Sequence, residues 1–129
     1  MVNRNRELMI STAPSKLSTI WTNTHTTLQD LTAAAYDPIT VDITHNEYER
    51  LKKTAKDKVK DVGGFVGGHL KGGRRRKGHV LARSLITLDI DNLPADIDLP
   101  ATLQEQLPVA WLAHTTMSHT AQQQRWRVW

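Results

Sequence analysis

Residues 80–91, VLARSLITLDID, alternate apolar and polar positions with the period of a β-strand. Ser84, Ile86, Leu88 and Ile90 fall on one face, and Leu85, Thr87, Asp89 and Asp91 on the other. The first face is mostly apolar and is assigned to a core. A second buried strand is predicted at 109–115, VAWLAHT, and a third at 125–129, RWRVW. In the third, Trp126 and Val128 point inward, and Arg125, Arg127 and Trp129 point to the opposite side. Helical periodicity appears earlier in the chain. Thr44 and Glu47 have the spacing of a capping box, in which hydroxyl and carboxylate satisfy the first free amides. Tyr48, Leu51, Ala55 and Val59 then recur at helical intervals, and lysines and Arg50 fill the other faces. One helix is predicted from this cap to the Gly63 and Gly64 pair.

Shorter helices are predicted at 26–35 and 101–107. Between elements, YDPIT at 36–40 reads as a turn, because Pro38 pushes Asp37 out of helical angles. PADIDLP at 94–100 reads as a loop. Residues 1–19 are polar and unpatterned, and are expected to be a flexible or peripheral N-terminal segment, either a flexible lead-in or a peripheral strand. Residues 20–129 then form the domain. No internal repeat is visible.

Composition narrows the function classes. The 129 residues suffice for one small domain with a core. Apolar residues make up 39%, which is low for a compact globule and suggests loose order or an incomplete chain. There is no cysteine, which excludes disulfides and thiolate zinc sites. The longest unbroken apolar run, 109–113, is far short of the roughly 20 residues that span a bilayer. The N-terminus lacks the apolar core of a signal peptide. A cytoplasmic protein with no membrane partner is expected.

The net charge is +4. Its most concentrated part is GGFVGGHLKGGRRRKGHV, where Lys71, Arg74, Arg75, Arg76 and Lys77 sit in a glycine-rich frame with no acid among them. Phosphate oxygens accept bidentate arginine forks, so such a loop suits a nucleic-acid backbone; the alternative is a solvated basic loop. It is no P-loop, since the Gly-x-x-x-x-Gly-Lys-Ser/Thr pattern is absent.

Asp89 and Asp91 share a strand face with stems roughly 7 Å apart. Carboxylates this close repel unless a cation or a basic group neutralises them. They suit a Mg²⁺ ion that completes its shell with water and phosphate oxygens, or they are an ordinary solvated strand end. In HTTMSHTAQQQRWR, His119 has Ser118 and Thr120 beside it and two alternating arginines after it. Imidazole, hydroxyl and guanidinium groups all donate to phosphate. His119 is otherwise a surface histidine. His114 reads as a strand residue near the sheet end, and the two histidines lack partners for a zinc set.

The order of these pieces, above all KDVGGFVGG, GGRRRKGHVLARSLITLDID and SHTAQQQRWR, resembles the N-terminal half of the primase domain in phage and prophage replication proteins. That domain belongs to the archaeo-eukaryotic-type primase–polymerase superfamily and is often fused to a helicase, as in the virulence-associated E type. The resemblance covers roughly residues 21–129. It implies an α+β fold with a palm-like or RNA-recognition-like sheet and flanking helices. It also implies DNA replication by metal-dependent nucleotidyl transfer, with nucleoside triphosphates and a single-stranded DNA template as partners. Asp89 and Asp91 fall on the acid-x-acid motif that binds Mg²⁺ or Mn²⁺. His119 falls on the motif that holds the incoming phosphates. In that motif a hydroxyl residue is normally one residue removed from the histidine; here Met117 is two before it and Ser118 adjoins it, so Ser118 and Thr116 are both candidates. Arg125 and Arg127 fall on the strand that grips the triphosphate. The third motif, a further acid after that strand, is missing, and Asp96 and Asp98 are poor substitutes. The chain is therefore expected to be truncated after the Arg125 strand, to carry half an active site, and to be weakly active or inactive alone. The alternatives are a non-catalytic DNA-binding replication-initiator module and a metal-dependent nuclease.

Overall fold

The computed structural model describes residues 3–129. Met1 and Val2, part of the expected N-terminal segment, lie outside the described residues. The fold is α+β, with every strand pairing antiparallel. It divides into two compact units, residues 3–85 and residues 86–129.

In the first unit, strand β1 (Leu8–Ala13) lies between β2 (Thr22–Thr26) and β3 (Gly64–Val66). The segment 1–19, expected to be a flexible lead-in or a peripheral strand, thus contributes the central strand of this sheet. The sequence hid this because Ser11 stands at a buried position where a strand normally has an apolar side chain. Ser11 is fully buried. Its hydroxyl donates 2.9 Å to the Gly68 carbonyl and contacts Asn23 Oδ1. Asn23 in turn bonds both the amide and the carbonyl of Leu70, each at 2.8 Å. Hydrogen bonding makes the Ser11 hydroxyl tolerable inside. These bonds tie β1 and β2 to a second ribbon, β4 (Gly68–Leu70) paired with β5 (Val80–Arg83).

Helix α1 (Leu28–Tyr36) starts where Thr27 caps the Asp30 amide. The single helix expected from Thr44 onward is two: α2 (His45–Glu49) and α3 (Lys53–Lys60). The capping box is present, with Thr44 and Glu47 bonded reciprocally. The break at 50–52 has a packing consequence. Tyr48 is fully buried, and the ammonium groups of Lys56 and Lys60 lie 5.1 and 5.7 Å from its ring centroid. In a straight helix these lysines would be about 12 and 18 Å further along the axis. Folding α3 back brings both over one ring.

The expected strand 80–91 is also two strands. After β5, the amides of Ser84 and Leu85 both donate to the Gly67 carbonyl, and Ser84 Oγ accepts from the Met9 amide at 2.9 Å. The chain is pinned there and leaves the ladder. Pairing resumes in the second unit as β6 (Leu88–Pro94), which neighbours β8 (Gln123–Val128) and not β5. Ile86 is 69% exposed and Leu88 46%, so the apolar face assigned to a core is only partly buried.

The second unit is the sheet β6-β8-β7, where β7 is Ala113–Thr115, with α4 (Leu99–Gln106). Asp98 caps α4 by accepting from the Ala101 amide. Leu99, Leu103 and Val128 form the core, against which Ile90, Trp111 and Trp126 pack. Only the end of the expected 109–115 strand is regular strand, although Leu112 and Trp129 exchange both backbone bonds just beyond it. The alternation read at 125–129 holds: Val128 is 2% exposed and Trp126 packs inward. Among the described residues no helix is long and apolar enough to cross a membrane.

Candidate functional site

One face of the β6-β8-β7 sheet covers the core, and the other carries the charge. Register sets Asp89 of β6 directly opposite Arg127 of β8, and Arg127 opposite His114 of β7. Acid, guanidinium and imidazole thus form a row across three strands. Arg127 Nε donates to Asp89 Oδ1 at 2.7 Å. His114 stacks on Trp129, with ring centroids 6.3 Å apart and planes 23° from parallel. The Arg127 guanidinium lies 6.0 Å from the same indole.

A β-bulge places the second acid. Ile90 pairs with Trp126 and Leu93 with Gln124, so Asp91 and Asn92 together face Arg125. Asn92 takes the left-handed conformation, φ 60°, which asparagine tolerates better than most side chains. Arg125 reaches both residues: Nη1 lies 3.6 Å from Asp91 Oδ1, and Nη2 donates to Asn92 Oδ1 at 3.3 Å. The close carboxylates are therefore neutralised by two guanidinium groups. All four side chains are substantially exposed, so each pair contributes only about 0.2–1 kcal/mol to stability.

The remaining candidates from the sequence lie in the connection between β7 and β8. The Thr116 amide donates to the Arg125 carbonyl, and the His119 amide to the Thr116 carbonyl, each at 3.0 Å. Thr116 and Ser118 sit half-buried in this turn. The His119 ring meets Trp126 edge-on, with centroids 5.8 Å apart, and Nδ1 accepts the Arg125 amide at 3.2 Å. Trp126 packs against the core, so the imidazole keeps to the Trp126 side of the strand. Among the described residues no hydrogen bond or ion pair joins His119 to Asp89 or Asp91. The histidine in line with the acids is His114. Its register with Arg127 depends on a pairing that strand alternation alone does not fix.

Divalent metal is the cofactor expected from the sequence. Among the described residues no three or more His, Asp or Glu side chains are grouped to hold an ion. Asp89 and Asp91 offer two carboxylates, each already engaged by an arginine. A Mg²⁺ or Mn²⁺ ion taken by these carboxylates would have to displace Arg127 and Arg125 from them.

The basic loop belongs to the first unit. A 3₁₀ turn, Lys71–Gly73, opens it, and the Lys71 amide closes it on the His79 carbonyl at 2.7 Å. Lys71, Arg74, Arg75, Arg76 and Lys77 are all exposed, and none makes a salt bridge among the described residues. The unit as a whole holds 15 Lys and Arg against 8 Asp and Glu, a net +7; residues 86–129 hold 2 against 5, a net −3. The modest overall charge conceals a strongly basic unit suited to a polyanion.

No curated protein and no solved structure matches the chain. A protein-family comparison does match, over residues 1–129, and the family is the VapE N-terminal domain. The chain belongs to this family, a domain associated with primase-like replication proteins.

Proposed function

We propose that this chain is the N-terminal part of a primase–polymerase that binds a nucleoside triphosphate on the outer face of the β6-β8-β7 sheet and single-stranded DNA through its basic loop. In this reading the sheet is the palm-like element. Arg125 and Arg127 are the phosphate ligands, and Asp89 and Asp91 hold them in place until a more highly charged anion displaces the carboxylates. Thr116, Ser118 and His119 shape the turn that bounds the site. The whole protein would act in DNA replication in a bacterial host cell, in a phage or prophage setting, with a helicase as a further domain.

The observation that carries the reading is the acid–arginine ladder on the outer sheet face, in a chain of a primase-associated family. Guanidinium groups pair with carboxylate and phosphate through the same planar donors, so one exchanges for the other without rebuilding the site. The affinity of Asp89 and Asp91 for Mg²⁺ or Mn²⁺ is a separate part of the proposal.

A second reading is a non-catalytic DNA-binding module. It is favoured by the pairing of both acids and the lack of a three-ligand cluster among the described residues. One experiment divides the two. Nucleoside triphosphate and single-stranded oligonucleotide are titrated separately, with and without Mg²⁺ or Mn²⁺, against the wild type and the Asp89→Ala, Asp91→Ala double variant. The primase reading expects the variant to lose metal-dependent nucleotide binding and keep salt-dependent DNA binding. Equal nucleotide binding by both proteins, or none by either, leaves the DNA-binding module.

A further inference from the structure

The five cations of the basic loop are not equivalent. Trp21 is 4% exposed and anchored by its own Nε1, which donates to the Ser18 carbonyl at 2.8 Å. Its backbone amide donates to the Gly73 carbonyl at 2.8 Å. Gly73 has φ 64°, and a Cβ there would lie 2.6 Å from the Trp21 carbonyl oxygen, so only glycine allows this approach. The Arg75 guanidinium lies 5.5 Å from the Trp21 ring, and its Nη1 donates to the Lys16 carbonyl at 3.3 Å. Lys16 is held from its other side, where its amide donates to Asp61 Oδ1 at 2.9 Å. One arginine of the run is thus turned back onto the protein. Among the described residues no such anchor holds the side chains of Lys71, Arg74, Arg76 and Lys77.

We infer that Arg75 is a positioning residue: it docks the glycine-framed loop on Trp21 and leaves Lys71, Arg74, Arg76 and Lys77 as the groups that take single-stranded DNA phosphates. This rests on the DNA-binding reading given above. A guanidinium held near an indole and bonded through Nη1 to a carbonyl is committed to the protein surface and has fewer free donors for a phosphate than its neighbours in the loop. Its work is to hold the other four in place, so that less loop freedom is lost on binding.

The test pairs a salt titration with amide exchange on the full chain. Single-stranded oligothymidylate is the probe. Each phosphate contact contributes about 0.7 to the slope of log affinity against log salt for a single strand. Arg74→Ala and Arg76→Ala are each expected to lower the slope by about that amount, and to leave exchange of the Trp21 amide unchanged. Arg75→Ala is expected to keep the slope, weaken binding about two- to fivefold, and speed Trp21 amide exchange by a similar factor, from the worth of an exposed cation–π contact. A slope that falls for Arg75→Ala as it does for Arg74→Ala overturns the inference, and so does Trp21 exchange that does not change. Absence of salt-dependent binding by the wild type would instead remove the DNA-binding reading, and amide exchange would still decide whether Arg75 docks the loop.

Discussion

Replacing Asp89 and Asp91 with asparagine tests whether the two acids restrain the arginines. The change keeps shape and removes charge. In the folded protein Asp89 accepts from Arg127 Nε at 2.7 Å, and Asp91 lies 3.6 Å from Arg125 Nη1. An anion that binds the guanidinium groups must displace these carboxylates. Exposed pairs of this kind are worth about 0.2–1 kcal/mol each, so removing both relieves about 0.4–2 kcal/mol of competition. The double variant should bind inorganic tripolyphosphate, with chelator present to exclude metal, about 2- to 30-fold more tightly than the wild type. Loss of two negative charges also raises general attraction for anions. A control variant, Asp96→Asn with Glu105→Gln, makes the same charge change in the same unit at exposed positions outside the ladder. Isothermal titration calorimetry measures all three proteins. If the double variant gains no more than the control, Arg125 and Arg127 are not phosphate ligands held by the acids.

Other consequences concern the scaffold. Thr44→Ala removes the hydroxyl that accepts the Glu47 amide, one half of the α2 capping box, and should cost about 0.5–2 kcal/mol, read as a lower midpoint in urea unfolding. Gly64→Ala would place a Cβ 2.2 Å from the Trp21 ring; it should cost about 1–3 kcal/mol by overpacking and lower the thermal midpoint. The Asp61 carboxyl is held below the usual aspartate range, first by the Ser15 hydroxyl and then by the Lys16 amide. A lowered folded pKa gives stability that is present above the unfolded value, near 4, and is lost as pH falls through the folded one. Exchange protection of the Lys16 amide should therefore drop below about pH 4 in the wild type, and should be low and flat with pH in Asp61→Asn after correction for the intrinsic rate.

Local signals were legible where a few neighbouring residues decide the structure. The Thr44 and Glu47 cap, the inward Trp126 and Val128, and the outward Arg125 and Arg127 all follow from spacing along one segment. The same rule put Asp89 and Asp91 on one face and correctly demanded a neutralising cation. Which cation answers was not legible, because it depends on β6 pairing with β8 in a register shifted by a bulge. The continuous strand at 80–91 failed for a similar reason. Hydrogen bonds from Ser84 and Leu85 to distant Gly67 interrupt it, and no local pattern announces them. The central place of β1 was not legible because its buried polar residue, Ser11, is satisfied by partners 12 and 57 residues away. The role of Arg75 was equally hidden, since five cations in a row look alike until one is found on Trp21.

The central claim is that the outer face of the β6-β8-β7 sheet is a nucleotide phosphate site. Backbone amide chemical-shift mapping during titration with a nucleoside triphosphate tests it most directly, with and without Mg²⁺. The account predicts the largest shifts at Asp89, Asp91, His114, Arg125 and Arg127, saturating together. Shifts confined to the basic loop at 71–79, with the sheet unmoved, would contradict it.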